Sequence, residues 1–212
     1  MAYSSPVGTQ YYLSQTFASA KTVSAASNAN PASLTATAHG YATNDEFLFT
    51  SGWELATNSV YKANVVDANT FTALGLNTTS TSSFAAGSGT GSAQKVSGWL
   101  QIPQVLTISP QGGEPNFIDF KPIANLQGLR LPNGFTPMSL NFELGFDTAA
   151  TNWTTLQDIS RAQTLVAYKS VKGSSATYAY GYWMMGEAPR QASDQVDRVS
   201  ATFVALGRTI TY

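Results

Sequence analysis

The sequence predicts a mainly β protein with one amphipathic helix laid against its sheets. Three observations carry this reading. Short apolar alternations separated by turn residues recur along the chain, a single segment has helical periodicity, and small neutral residues replace much of the usual charge.

Of 212 residues, 43 % are hydrophobic, enough to bury a core as one large domain or two small ones. Only 11 % are charged, against roughly 25 % in an average globular domain. Ser, Thr, Ala, Gly and Asn stand in their place, all compatible with strands or turns. Two readings of the low charge stay open: a secreted-type β domain with a Ser/Thr-rich surface, or a subunit covered by copies of itself.

The net charge of −1 argues against binding nucleic acid or acidic lipid by bulk attraction, and bases and acids are balanced on both sides of Lys95. The absence of cysteine excludes disulfides, thiolate metal sites and a cysteine nucleophile. No stretch approaches the roughly 20 apolar residues of a membrane span, so no membrane partner is expected. Met1-Ala-Tyr-Ser-Ser-Pro6 lacks a basic region followed by an apolar run, so no secretory signal is expected. The Asn77-Thr-Thr79 and Asn152-Trp-Thr154 sequons are accordingly read as chance.

In the first half, Glu46–Thr50, Val60–Val66 and Thr70–Leu74 read as short strands between the turns His39-Gly40, Ser51-Gly52 and Asp67-Ala-Asn69. That spacing suits a small antiparallel barrel or sandwich. Composition changes near Lys95, and ahead of the change Ser80–Ser92 reads as a small-residue linker with little to bury. Its Gly87-Ser-Gly-Thr-Gly91 run lacks the buried strand before it and the helix after it that a dinucleotide fingerprint needs.

In the second half the alternation is clearest at Ser139–Leu144, with Leu140, Phe142 and Leu144 on one face and Ser139, Asn141 and Glu143 on the other. Asn116–Lys121, Leu165–Tyr168, Thr177–Trp183 and Val199–Leu206 complete the strand set. The helix is expected over about Asn152–Gln163, with Trp153, Leu156 and Ile159 packing on a sheet. Gln157, Ser160 and Arg161 lie elsewhere on its wheel, and Thr151 and Asn152 are its candidate N-caps. Between Pro103 and Pro137 the Pro/Gly punctuation predicts a long connection. It still carries Phe117, Ile118, Phe120, Ile123, Leu126, Leu129 and Leu131, which implies docking on its own domain or on a neighbour.

Catalytic chemistry finds little support, and no cofactor is expected. The single histidine, His39, sits in a turn context and reads as structural. Asp194, Asp197 and Glu187 come nearest to a carboxylate metal site but lack EF-hand-like spacing, and read as a solvated loop with Arg190 and Arg198 as charge partners. A glycosidase pair could be drawn from any of the acids, but adjacent Asp45 and Glu46 would point to opposite faces of a strand. No catalytic, cofactor-binding or metal residue is therefore assigned. Tyr178, Tyr180 and Tyr182 share one strand face and Trp183 the other. Such a row can stack sugars or bases, but with no basic groove beside it, a core or subunit contact is the favoured reading.

Residues about 33 to 74 resemble a small β module recurrent in phage structural proteins and named after a half-domain of ubiquitin-activating enzymes. The matching run is Leu34-Thr-Ala-Thr-Ala-His-Gly40, Asn44-Asp-Glu-Phe47, Ser51-Gly52, Val60-Tyr61 and Val65-Val-Asp-Ala-Asn-Thr-Phe71. Asn44-Asp45 replaces the Gly-Asp common in that module, a change that touches turn geometry more than fold. Residues about 96 to 212, with the first twenty or so, resemble the major tail tube proteins of long, non-contractile-tailed phages (siphophages). The pattern is the Leu140–Leu144 strand, a helix opening on Trp153, the Leu165–Tyr168 and Tyr178–Trp183 strands, and the final Asp197-Arg-Val-Ser-Ala-Thr-Phe-Val-Ala-Leu-Gly207.

The resemblance implies two packed antiparallel sheets flanked by one α-helix, formed by residues 1–20 and 96–212, with a small β-barrel module inserted at 21–95. It implies a structural virion protein, made in the host cytoplasm, whose hexameric rings stack into a tube for double-stranded DNA. A tape measure protein, a tail terminator and distal tail proteins are the implied partners. The lumen should carry neutral or acidic side chains, and the inserted module should sit outside. Ring-to-ring contact is expected from Pro103–Pro137 and Met1–Thr16. The candidate inter-subunit residues are Tyr11, Tyr12, Phe117, Phe120, Leu126, Leu129, Arg130 and Leu131, with the tyrosine row Tyr178, Tyr180 and Tyr182. Alternative roles are another virion component (tail terminator, distal tail or head-decoration protein) or a carbohydrate-binding β module.

Overall fold

The structure, a computed structural model, describes residues 7–124 and 126–212. Its strands begin with β1 (Gln10–Ser14), β2 (Thr16–Phe17), β3 (Lys21–Val23), β4 (Ala25–Ala26) and β5 (Ala32–Thr35). Then come β6 (Glu46–Ser51), β7 (Ser59–Val65), β8 (Thr70–Ala73), β9 (Gly91–Ser97) and β10 (Leu100–Gln101). β11 (Val105–Gln111), β12 (Pro115–Phe120), β13 (Leu129–Phe135) and β14 (Ser139–Gly145) lead to the helix α1 (Trp153–Ala162). β15 (Leu165–Lys172), β16 (Ser175–Met185), β17 (Arg198–Ala205) and β18 (Ile210–Thr211) end the chain. The fold is mainly β, with two large antiparallel sheets packed together.

The first sheet runs β10-β1-β15-β16-β17-β14-β11, with β18 also paired to β16. In β14, Leu140, Phe142 and Leu144 are buried while Ser139, Asn141 and Glu143 stay half-exposed, and β17 repeats the pattern with Val199, Ala201, Phe203 and Ala205 buried. Each large side chain buried this way contributes roughly 1.5–3 kcal/mol.

This sheet folds back on itself. Tyr11 of β1 meets Phe142 of β14 edge-on, with ring centroids 5.8 Å apart, although β15, β16 and β17 separate those strands in the ladder. The turn is made along β16, which pairs through residues 175–182 with β15 and through 181–185 with β17. Gly181 stands at the handover, where a Cβ would run into the Val204 carbonyl oxygen. The result is two leaves, one of β10, β1, β15 and the start of β16, the other of the end of β16, β17, β14 and β11. Leu13, Phe142, Tyr168, Trp183 and Phe203 fill the space between them.

Helix α1 covers one end of that core, with Trp153, Leu156 and Ile159 buried against it. Ser160, expected away from the apolar stripe, is buried too: its Oγ accepts from the Met185 N–H at 2.8 Å, fastening the helix to β16. Neither expected N-cap caps through its side chain. Asn152 adopts φ 70°, and its amide donates to the Gln101 carbonyl at 3.2 Å, tying the helix start to β10.

The second sheet runs β2-β9-β6-β7-β8-β5-β4, with β3 also on β9. Phe71 centres its core, with His39, Tyr41 and Phe47 rings at 4.9, 5.0 and 5.1 Å. The barrel expected here is not closed. Segment 21–26 changes partner at Ser24, from β9 to β5, so the sheet curls without forming a continuous ring among the described residues.

Two further expectations are corrected. Ser80–Ser92 is no loose linker: Phe84 is buried edge-on to Trp53 at 5.4 Å, and the Trp53 indole donates to the Ala85 carbonyl at 2.8 Å. Gly89 lies so close to the Trp53 ring that a Cβ would stand 2.5 Å from it. The small residues are there for close approach. Likewise, the stretch from Pro103 to Pro137 is not one long loop but β11 followed by the isolated hairpin β12–β13.

Candidate assembly surfaces

Glu46 opens β6 on the second sheet and points into the seam between the sheets. One carboxylate oxygen accepts from the Lys169 ammonium at 2.9 Å and the Tyr178 hydroxyl at 2.6 Å, and the other accepts from the Trp99 indole at 2.5 Å. The Lys169 and Glu46 side chains are only 18 % and 15 % exposed. Lys169 also lies 4.7 Å from the Trp99 ring centroid, 5.8 Å from Tyr12 and 5.9 Å from Tyr178, a cation enclosed by aromatic faces. Burial, then the hydrogen bond and charge of Glu46, push the Tyr178 phenol far above its ordinary range. The C-terminal residue pins the same seam: the Tyr212 hydroxyl donates to the Leu74 carbonyl at 2.7 Å and accepts from the Lys62 N–H at 2.9 Å. Burial leads the causes that raise its phenol to about 12.

The tyrosine row is therefore divided. Tyr178 and Tyr180, 2 % and 8 % exposed, are packed inside the chain against the second sheet, and Phe17 meets Tyr180 edge-on at 5.8 Å. These two rings are closed to a neighbouring molecule, contrary to the contact expected of them; only Tyr182 faces outward, at 38 %. Tyr11 is half-buried on the leaf core, and half-buried Tyr12 donates to the Gln10 side chain at 2.5 Å. Residues 1–6 of the expected Met1–Thr16 contact segment lie outside the described residues.

The hairpin β12–β13 is exposed along its whole length. Ile118 pairs with Leu131 and Phe120 with Leu129, which places four apolar side chains on one face. They remain 41–54 % exposed, and Ile123 and Leu126 at the turn are almost wholly so. On the opposite face Asp119 pairs with Arg130 at 2.8 Å, and the guanidinium lies 5.1 Å from the Phe117 ring centroid. A two-stranded ribbon is marginal alone in water, and Phe135 adds further exposed apolar surface at its base, at 74 %.

The residues weighed for chemistry hold structure. His39 is buried; its Nδ1 accepts from the Tyr41 N–H at 2.9 Å and its Nε2 contacts the Asp67 carbonyl at 2.8 Å, clamping two turns. Asp45 pairs with Lys95 at 2.6 Å, apart from the Glu46 cluster. Glu187 pairs with Arg161 at 2.8 Å, Arg198 with Glu143 at 3.0 Å, and Asp197 accepts from Gln191. Among the described residues, no helix is long and apolar enough to cross a membrane.

The seam residues Glu46, Trp99, Lys169 and Tyr212 escaped the reading of the sequence, because their partners lie far away along the chain. A family model described as phage tail tube protein, TTP, matches residues 51–212, taking in the end of β6 and everything after it. No curated protein matches the chain.

Proposed function

The chain belongs to the phage tail tube protein family, a structural and not an enzymatic family, and on that premise we propose that it is the major tail protein of a siphophage. It is a virion component. In this reading six copies close into a ring, rings stack into the tube, and double-stranded DNA passes through on its way to the host. Residues 1–20 and 96–212 build the wall; residues 21–95 are an insertion carried outside it. A tape measure protein, a terminator and distal tail proteins would bound the tube, and the subunit would be made in the host cytoplasm before assembly.

One observation carries this reading: the unpartnered apolar face of Ile118, Phe120, Leu129 and Leu131 on a ribbon standing clear of its own sheet. Such a ribbon gains burial only against another molecule, and in a self-assembling family a second copy supplies it. Among the described residues, β11 ends the first sheet with one edge unpaired. An edge of this kind is a liability unless a neighbour pairs or covers it. A head-to-tail contact closes as a ring while stacking stays open along the axis. Tyr11, Tyr12, Arg130 and Tyr182 remain candidates for the contact; Leu126 sits at the hairpin turn, where it would reach farthest.

The test is the double variant Ile118→Asp/Leu131→Asp. Both side chains are solvent-exposed, so circular dichroism and melting should match the parent, while tubes seen by electron microscopy should be lost. A folded variant that still forms normal tubes would show that the hairpin is not a ring contact.

A further inference from the structure

We propose that the cleft between Arg190 and Arg198, at the start of β17, binds a single carboxylate group. A small organic acid or an acidic side chain of a second copy supplies it. The site stands apart from the ring contact proposed above, and only the second source depends on that reading.

Two arginines face each other there. The Arg190 N–H donates to the Arg198 carbonyl at 2.7 Å, and the Arg198 N–H donates back to the Arg190 carbonyl at 3.2 Å, an isolated antiparallel bridge. Residues that exchange both bonds send their side chains to the same face. Like charges directly opposite each other in such a pair are destabilising, and arginine does not escape by losing its proton. The arrangement becomes favourable when anions lie beside both members.

The chain supplies an anion to one of them. Arg198 donates through Nη1 to Glu143 at 3.0 Å. Its Nε is shut off from water and has no acceptor among the described residues, a donor whose desolvation is left uncompensated. Arg190 is exposed, and among the described residues no carboxylate pairs with it.

The space beside the pair suits a small guest. Loop 191–197 leaves the bridge at Arg190 and returns at Arg198, its neck tied by the Gln191 amide donating to Asp197 at 3.0 Å. With Glu143 of β14 and Ser200 of β17 it walls a cavity of about 290 Å³, close to the lower limit of roughly 300 Å³ for ordinary ligand pockets. The lining carries two cations and one anion, so one added negative charge balances it. Gln195 and Ser200 bring neutral donors to the same wall.

These residues also choose among anions. The planar guanidinium fork matches a carboxylate, which accepts two parallel N–H bonds. A phosphate dianion would set a second negative charge against Glu143. A nucleic-acid backbone would meet Asp194 and Asp197 on the loop and Glu187 just before it, so an extended polyanion is repelled.

The test follows the arginine Nε–H resonances of the labelled chain by NMR at neutral pH and constant ionic strength. The titrant is N-acetylglutamate α-amide, which carries one side-chain carboxylate; sodium chloride, sodium phosphate and a short DNA duplex are run in parallel. The expected result is a saturable shift of the Arg190 and Arg198 resonances with the carboxylate and no saturation with chloride. Arg190→Gln, read at Arg198, should weaken binding by roughly tenfold or more. Glu143→Gln removes the competing anion and should tighten it, an effect that a purely structural role for the arginines would not produce. Circular dichroism of both variants should match the parent. Given that binding, loss of tubes by folded Arg190→Gln identifies the guest as an acidic side chain of a second copy, and normal tubes identify a free acid. A shift that grows linearly and equally with every salt, or saturation by phosphate or duplex DNA at lower concentration than by the carboxylate, overturns the proposal.

Discussion

The Tyr178 hydroxyl donates to the Glu46 carboxylate at 2.6 Å across the seam between the two sheets, from 132 residues farther along the chain. With Lys169 and Trp99 on the same carboxylate, this contact makes the second sheet a fixed part of the subunit. If residues 21–95 form an outer insertion, it is held rigidly against the wall.

Replacing Glu46 with Ala should therefore cost more than a surface charge does. It leaves the largely buried Lys169 ammonium without its anion and the Tyr178 and Trp99 donors without an acceptor, a loss of about 3 kcal/mol. For a chain of this size that lowers Tm by roughly 6–12 °C. Glu46→Gln keeps an acceptor for Tyr178 and should lose less. A melting curve for Glu46→Ala that overlays the parent would show the cluster to be energetically idle.

Alkaline pH should loosen the same seam and the two cores on either side of it. Burial raises the phenols of Tyr41, Tyr168, Tyr178 and Tyr212, the last to about 12, from an ordinary value of 10.0. The folded state thus holds protons that the unfolded chain releases. The stabilisation is complete below pH 10 and is lost as pH rises from there through the folded values. The phenolate absorbance of these four buried tyrosines should appear together with unfolding rather than before it. Full ionisation of all ten tyrosines in a still-folded chain would contradict this.

In acid the sign reverses at Asp45. Partial burial alone would raise its carboxyl, but the Ala42 N–H and the Lys95 ammonium outweigh that and hold it below its ordinary 3.8. Its contribution is present above the ordinary value and is lost as pH falls through the lower folded one. Asp45→Asn should give a flatter stability profile below about pH 4, read by urea unfolding at several pH values.

Gly181→Ala tests the fold-back of the first sheet. The new methyl collides with the Val204 carbonyl oxygen where β16 passes from one leaf to the other, and neither backbone can yield without opening the β16–β17 ladder. The expected loss is about 3 kcal/mol or more, with changed fluorescence from Trp183, two residues on. A neutral substitution would mean that the leaves do not meet at this point.

Much of this architecture could be read from the residue pattern wherever burial is one-sided. Leu140, Phe142 and Leu144 alternate because one face of β14 meets the core and the other does not, and Trp153, Leu156 and Ile159 mark the helix for the same reason. The hairpin defeats that logic. Asn116–Lys121 reads as a strand, but both faces of the hairpin are exposed, so β13 shows no alternation and its Pro132-Asn133-Gly134 reads as part of a long connection. β9 begins in Gly91-Ser92 and looked like the end of a linker. The tyrosine row was visible as a row, but periodicity does not say what a face meets, and Tyr178 and Tyr180 meet the second sheet. Glu46 was hidden most thoroughly: its three partners are 53, 123 and 132 residues away, and nothing local distinguishes it from Asp45.

Electron microscopy of the concentrated protein tests the central claim most directly. The account predicts tubes of constant diameter, built of stacked rings with sixfold end views. Single rings that never stack, or a stable monomer that binds glycans and forms no rings at any concentration, would contradict it.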